Sequence, residues 1–175
     1  DSTIVAMLSG LERDAILPEA YRLTTPCSPH QAAVIDGIEI DPARLVLPAG
    51  EGALVIEGAG GVLVPLSETE LYADVFSRWR LPVVLVARTT LGTINHSLLS
   101  IEALRARGIP IVGVAFVGEE NAESERVICA IGKVRRLGRL PWLEPLDARE
   151  LRAAFAKCFD LTAFVGGALY EAGTR

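Results

Sequence analysis

The sequence predicts an α/β fold in which a mostly parallel central sheet carries helices on both faces. Half of the 175 residues are apolar and only 6% are aromatic, a composition typical of a parallel sheet covered by helices. Short apolar runs alternate with helical segments of about ten to fifteen residues, which indicates right-handed crossover connections. The length suits one domain spanning residues 1–175, with a sizeable core.

The first fifty residues carry weak signals for secondary structure. Asp1 or Ser2 can cap a first helix that reaches as far as Arg13, with apolar residues along one side. Pro29 after Ser28 predicts the start of a short helix, because proline is well placed in a first turn. Asp41 before a proline predicts another short helix.

The pattern becomes regular from residue 53 onward. Apolar runs bounded by turn residues predict strands at 53–57, 62–66, 82–87 and 109–117, and a further strand is predicted near 137–140. Capping residues and glycine stops, such as Gly108, delimit the helices. The predicted helices are 70–80, 93–107, 121–132, 147–159 and 161–172.

The stretch around Glu57 is the most informative part of the chain. The apolar run 53–56 ends in this carboxylate, and the turn Gly58-Ala59-Gly60-Gly61 follows directly. We expect a buried parallel strand to deliver Glu57 to the carboxyl edge of the sheet, where open α/β proteins bind ligands. The glycines allow backbone N–H groups to approach an anion closely. Together these features predict a magnesium-phosphate site, and the alternative is a strand-end glutamate paired with an arginine.

The segment 89–96 joins a predicted buried strand to a predicted helix. Unpaired N–H groups at the start of a helix hold a carboxylate or a phosphate. An ordinary turn capped by Thr93 explains the same residues equally well. Further along, Trp142 either walls a nucleobase pocket or covers the core. His30 and His96 are interpreted as structural or loop-orienting residues, since the sequence places no catalytic partner at a telling spacing from them. A nucleophilic role of Cys27 stays open, but the sequence shows no base for it.

Charge and composition exclude several classes of protein. The formal net charge is −5, and the printed sequence has no cluster of basic residues, so nucleic acid is not an expected partner. The printed residues contain no apolar run of membrane-spanning length and no signal peptide, so we expect a cytoplasmic protein without membrane contact. The chain has 3 cysteines, an odd number, and they are not spaced as metal ligands are. We therefore expect free thiols.

Four blocks, taken together, resemble dethiobiotin synthetase. They are residues 55–61, Leu91-Gly92-Thr93-Ile94-Asn95-His96, Ser28-Pro29-His30 and Leu140-Pro141-Trp142-Leu143, and they occur in the order found in that family. The resemblance implies a three-layer P-loop-NTPase-like fold, a homodimer, and ATP and Mg²⁺ as co-substrate and cofactor. It also implies closure of a ureido ring from 7,8-diaminononanoate and CO2, through a phosphorylated carbamate.

The resemblance assigns roles to the matching residues. Asp1 and Glu57 resemble the two magnesium-binding carboxylates, and Glu57 also lines the nucleotide together with Gly58, Ala59 and Gly60. The remaining positions that match nucleotide-binding residues are Val117, Gly118, Pro141, Trp142 and Leu143. Gly60 also matches a position that lines the substrate. The backbone of Leu91, Gly92, Thr93, Ile94 and Asn95 resembles the loop that binds the substrate carboxylate in the family, offered across the dimer interface.

Two departures from the family pattern leave an alternative open. The printed chain lacks a GxxxxGK[ST] phosphate loop and the family's catalytic lysines, so we expect these residues upstream and expect this chain to be the larger C-terminal portion of a longer domain. Val117 stands where the family often has an adenine-reading asparagine. The alternative is a non-catalytic regulatory or assembly module of the same superfold. A partitioning-type ATPase fits less well, because the blocks at Ser28 and Leu91 are foreign to that group.

Overall fold

A computed structural model describes residues 2–50 and 52–165. The chain divides into two compact units, Asp1–Pro18 with Pro82–Ile101 and Ile111–Arg175, and Glu19–Leu81 with Glu102–Pro110. The expectation of a single domain stays a prediction.

A three-stranded sheet is the centre of the first unit. Strands β1 (Val83–Arg88), β2 (Ile111–Val117) and β3 (Arg136–Leu140) lie side by side in that order. Both pairings are parallel, with Arg88 opposite Val117 and Val117 opposite Leu140. The three strands therefore end at one edge, and the predicted parallel α/β fold is confirmed.

Helices connect and flank these strands. α4 starts immediately after the β1 turn and α5 follows β2, as crossover connections between parallel strands require. The described helices are α1 (Ser2–Ser9), α2 (Pro29–Asp36), α3 (Tyr72–Trp79), α4 (Thr93–Ala106), α5 (Ala122–Gly132), α6 (Ala148–Cys158) and α7 (Thr162–Val165). Short 3-10 turns occupy Arg13–Ala15 and Pro42–Arg44. The predicted last helix therefore begins at Thr162, and its part beyond residue 165 lies outside the described residues.

Alternate residues of β2 enter separate cores on the two faces of the sheet. Val114 and Phe116 pack with Ile101 of α4 and Ile128 of α5. Ala115 faces the other way and packs with a cluster that includes Leu137, Phe159 and Ala163. This period-two alternation creates the predicted arrangement of a sheet between two helical layers.

The second unit is built around α2 and α3. The rings of Tyr72 and Phe76 stack with centroids 5.7 Å apart, and Phe76 and Trp79 repeat that spacing. Asp74 caps α3 by accepting from the N–H of Leu71 at 2.9 Å. The same carboxylate accepts from Arg107 Nε at 2.8 Å, which fixes the helix to residues that follow α4.

Two predicted strands are absent from the described structure, and the strand predictions for 53–57 and 62–66 are wrong. Residues 53–57 have no strand assignment, and the side chain of Val55 is 95% exposed. Residues 62–66 form a turn, with one antiparallel bridge from Pro65 to Leu71. An apolar run becomes a buried strand only when neighbouring strands pair with its backbone on the sheet. In the described residues, neither run has such partners in the β1–β3 sheet.

Candidate functional site

The carboxyl ends of the three strands are tied together in the first unit. Thr89, directly after β1, donates its N–H to the carbonyl of Val117 at 3.1 Å. Gly118, directly after β2, donates its N–H to the carbonyl of Leu140 at 2.9 Å. Asn121 Nδ2 donates to the carbonyl of Thr89 at 3.3 Å and so joins the start of α5 to the same edge. This is the edge at which open parallel sheets bind ligands.

Gly118 lies at the centre of this edge and cannot carry a side chain easily. Its φ is +126° and it is buried. A Cβ on this residue would lie 2.5 Å from Thr89 Oγ1 and 3.7 Å from Trp142 Nε1. The structure thus brings Val117 and Gly118, both predicted to bind nucleotide, beside Trp142, which is 59% exposed. Pro141 and Leu143, the other predicted residues of that turn, flank Trp142 and are half-buried.

The predicted substrate loop forms the start of α4. Leu91 is fully exposed, and Gly92 adopts a φ of +93°. Thr93 is buried and donates its N–H to Thr90 at 3.1 Å, which closes the turn into the helix. Asn95 is exposed and Ile94 is half-buried, facing the core with Leu98. The loop therefore presents the first turn of a helix next to Thr89, the geometry expected of an anion-binding helix start.

The turn after Glu57 rests on the aromatic residues of α3 in the second unit. A Cβ on Gly58 would lie 2.9 Å from Phe76 Cζ, so a side chain at this position would have to displace that ring. Gly60 has a φ of +92° beside Val64. Burial raises the pKa of the Tyr72 hydroxyl, and a hydrogen bond from the N–H of Ala59 offsets part of that rise. Tyr72 was missed by the sequence analysis, since a tyrosine at the start of a helix carries no distinctive motif.

Glu57 is exposed in the described structure. The prediction that a buried strand carries Glu57 is wrong, because residues 53–57 are not a strand. Asp1, the other predicted magnesium ligand, lies outside the described residues. Within the described part of the chain, no group of three or more His, Cys, Asp or Glu side chains is arranged to hold a metal. An exposed single carboxylate still fits Mg²⁺, which is commonly held by one or two carboxylates together with substrate phosphates. The metal role of Glu57 therefore stays a prediction.

The structural role predicted for His30 and His96 stays a prediction. Cys27, Cys129 and Cys158 are free thiols, as predicted. Burial raises the pKa of the Cys129 thiol, which makes it a poor nucleophile. The backbone N–H of His96 donates to the carbonyl of Gly92 at 3.1 Å. His30 is half-buried in the first turn of α2.

A charged cluster behind the sheet edge was also missed by the sequence analysis. Arg139, inside β3, donates from Nη1 to the carbonyl of Gly118 at 3.0 Å. Glu125 of α5 is only 3% exposed and lies between Arg139 and Arg136. Buried charges of this kind require compensation, and here it comes from the ion pairs. Charges in a short strand or a helix start look solvent-exposed in sequence, so no sequence pattern marked them.

Among the described residues, no helix combines the length and apolar character required to cross a bilayer.

Comparisons with known proteins give a family match and several similar proteins. A family described as an AAA domain matches residues 1–150. A protein of Rhodopseudomonas palustris strain BisB5, named ATP-dependent dethiobiotin synthetase BioD, is 63% identical over 165 residues, which cover 94% of this chain and 78% of that protein. A protein of the same name from Rhizorhabdus wittichii is 65% identical over 159 residues, covering 91% of this chain and 76% of that protein.

A third protein of that name, from Nitrobacter hamburgensis, is 59% identical over 167 residues, covering 95% of this chain and 79% of that protein. The similarity thus extends through both units and includes the strand-end turns, the start of α4 and the glycine turn.

Proposed function

Since the chain belongs to the family of ATP-dependent dethiobiotin synthetases, we propose that it closes the ureido ring of dethiobiotin from 7,8-diaminononanoate, CO2 and ATP, with Mg²⁺. The observation that carries the proposal is the extent of the similarity, 59–65% identity over at least 91% of the chain. A cytoplasmic location and a homodimer, both expected from the sequence, form part of this proposal.

The proposed reaction makes two bonds to one carbon atom. One amine of the diamine attacks CO2 and loses a proton, which gives a carbamate. The carbamate oxygen takes the γ-phosphoryl group of ATP as the bond to ADP breaks. The second amine then attacks the same carbon and loses a proton, and phosphate leaves with the electrons of the broken C–O bond. Dethiobiotin, ADP and phosphate result.

The protein's task in such a reaction is to position the reactants and to neutralise charge. In the first unit, Trp142 offers an exposed ring beside Gly118, and we assign these residues to the nucleotide base. The helix start from Leu91 to Asn95 is assigned to the carboxylate of the diamine, because backbone N–H groups and the helix dipole both favour an anion there.

In the second unit, we assign Glu57 to the magnesium ion and the turn Gly58-Ala59-Gly60 to the nucleotide, with Gly60 also contacting the substrate. A bound Mg²⁺ supplies charge neutralisation to the phosphates. The chain itself contributes the Glu57 carboxylate and a turn that lies against Phe76 and Tyr72.

The test uses the full-length natural polypeptide and detects dethiobiotin by mass spectrometry. We expect product only when diamine, bicarbonate, ATP and Mg²⁺ are all present. Replacing Glu57 by Gln should lower turnover roughly tenfold or more, the size of effect typical of disturbed metal coordination, and should raise the magnesium requirement. Glu68→Gln is the matched control, since Glu68 is an exposed glutamate of the same unit.

Two outcomes would contradict the assignments. An absence of dethiobiotin even with diamine, bicarbonate, ATP and Mg²⁺ all present would favour the regulatory module over the ligase. Turnover of Glu57→Gln equal to that of Glu68→Gln would remove Glu57 from the metal site while leaving the ligase activity in place.

A further inference from the structure

Both backbone polar groups of Gly118 are held by β3. The N–H of Gly118 donates to the carbonyl of Leu140 at 2.9 Å. Its carbonyl accepts from Arg139 Nη1 at 3.0 Å. The turn at the end of β2 therefore takes its position from the neighbouring strand, and one of the two attachments is a side chain.

Arg139 is in turn oriented by Glu125. The Nε of Arg139 lies 3.4 Å from Glu125 Oε1, and the Glu125 side chain is only 4% exposed. The other carboxylate oxygen, Oε2, accepts from Arg136 Nε at 2.7 Å. Oε1 has no hydrogen-bond partner among the described residues, so the charge of Arg139 compensates it. Removing one member of such a buried pair leaves the other charge unbalanced.

The contacts of Arg139 with Glu125 and with the carbonyl of Gly118 depend on the planar shape of the guanidinium. On a third side, Nη2 of Arg139 lies 3.6 Å from Glu120 Oε2, but Glu120 is 76% exposed and an ion pair of that kind contributes little. The ion pair with Glu125 and the hydrogen bond to the carbonyl of Gly118 use different nitrogens of one rigid fork. A lysine keeps the charge but cannot make both contacts in this geometry.

We propose that Arg139, oriented by Glu125, is a positioning residue that fixes the Val117–Gly118 turn and so determines how tightly the enzyme holds the base of its nucleotide. The inference rests on the proposed function, which assigns this turn to the nucleotide. Val117 has no side-chain donor or acceptor, so the base is held here by contact and stacking. Such contacts weaken steeply when surfaces move apart by less than an ångström.

The test compares ATP with inorganic tripolyphosphate, which has the phosphates but no base. Calorimetry on the full-length natural polypeptide gives the Kd of each, and steady-state kinetics give the KM of ATP and of the diamine. We expect Arg139→Gln and Glu125→Gln to raise the Kd and KM of ATP about tenfold, equivalent to about 1.4 kcal/mol. The Kd of tripolyphosphate and the KM of the diamine should change by less than about twofold, or about 0.4 kcal/mol.

Two further variants separate positioning from general stability. Arg126→Gln removes a similar charge from α5, but Arg126 and its partner Glu123 are 65% and 70% exposed, so ATP affinity should not change. Arg139→Lys retains the charge that compensates Glu125, so it should fold normally, as judged by circular dichroism. It should nevertheless bind ATP more weakly than the wild-type protein does. If Arg139→Gln does not fold, the ATP and tripolyphosphate comparison is made with Arg139→Lys instead.

The outcomes distinguish this inference from the proposed function. Equal weakening of ATP and tripolyphosphate, unchanged ATP affinity in Arg139→Lys, or an Arg126→Gln effect as large as that of Arg139→Gln would overturn the inference. Wild-type protein that binds tripolyphosphate as tightly as ATP would also overturn it. Wild-type protein that prefers ATP but forms no dethiobiotin would refute the proposed function alone, and the binding comparison would still decide the role of Arg139.

Discussion

Replacing Gly118 by Ala should cost much more stability than replacing another glycine of positive φ. At Gly118 the φ of +126° belongs to a region that other residues rarely adopt, at a cost of about 1–3 kcal/mol. The added Cβ would also lie 2.5 Å from Thr89 Oγ1, inside the closest normal contact. Thr89 is 7% exposed, and moving its side chain off its rotamer costs about 0.5–1.5 kcal/mol more. The expected loss is therefore roughly 2–4 kcal/mol, a large part of a typical domain stability of about 5–15 kcal/mol.

Urea unfolding followed by far-ultraviolet circular dichroism measures this loss. Gly37→Ala is the matched control, because Gly37 has a φ of +68° and no described atom lies within 4 Å of an added Cβ. That variant should lose only about 1–2 kcal/mol, the cost of the left-handed conformation alone. In a Thr89→Ala background, Gly118→Ala should become less costly by about 1 kcal/mol, since the crowded oxygen is gone. A Gly118→Ala loss no larger than that of Gly37→Ala would refute the crowding argument.

The remaining predictions concern the start of α4 and the cap of α3. Gly92→Ala forces a side chain onto a φ of +93° and should raise the KM of the diamine by up to about thirtyfold, the most that a helix-dipole contact of about 2 kcal/mol can contribute. The KM of ATP should change little, and an equal rise in both would argue against a carboxylate grip there. Asp74→Asn should lower the urea midpoint at neutral pH, because a hydrogen bond from Arg107 holds the pKa of this carboxyl below its ordinary value. That stabilisation is present above the unfolded pKa of about 4 and is lost as the pH falls through the lower folded value. The difference in urea midpoint between wild type and Asp74→Asn should therefore shrink below about pH 4. A difference that stays constant down to acid pH would show that the carboxylate charge is unimportant.

The sequence predicted those parts of the fold whose signals are local. The apolar runs of β1 and β2 and the glycine stop at Gly108 depend on residues close in the chain, and the structure confirms them. The run 53–57 has the same composition as these strands but is exposed, because strand formation depends on partners that no local pattern reveals.

The residues of the candidate site also divide into those that a sequence motif marks and those that only tertiary structure brings together. Gly118 and Trp142 were predicted as nucleotide-binding residues by a family resemblance, and the structure brings them together. Arg139 and Glu125 were not predicted. They are separated by fourteen positions in the chain and meet only because β3 pairs with β2 and α5 packs beside them. Their burial depends on tertiary structure, so it could not be predicted from residue type and spacing.

The face of the sheet that carries Ala115 has two small residues side by side. Ala115 is paired with Gly138 on β3, and a Cβ on Gly138 would lie only 2.6 Å from Phe159 Cδ1. The rings of Phe155, Phe159 and Phe164 pack against one another on this face, with centroids 4.5–5.8 Å apart. At Gly138, therefore, the ring of Phe159 approaches the backbone of the strand itself. Enlarging Gly138 would displace that ring, whereas trimming Phe159 would leave a void beside a residue that has no side chain to fill it.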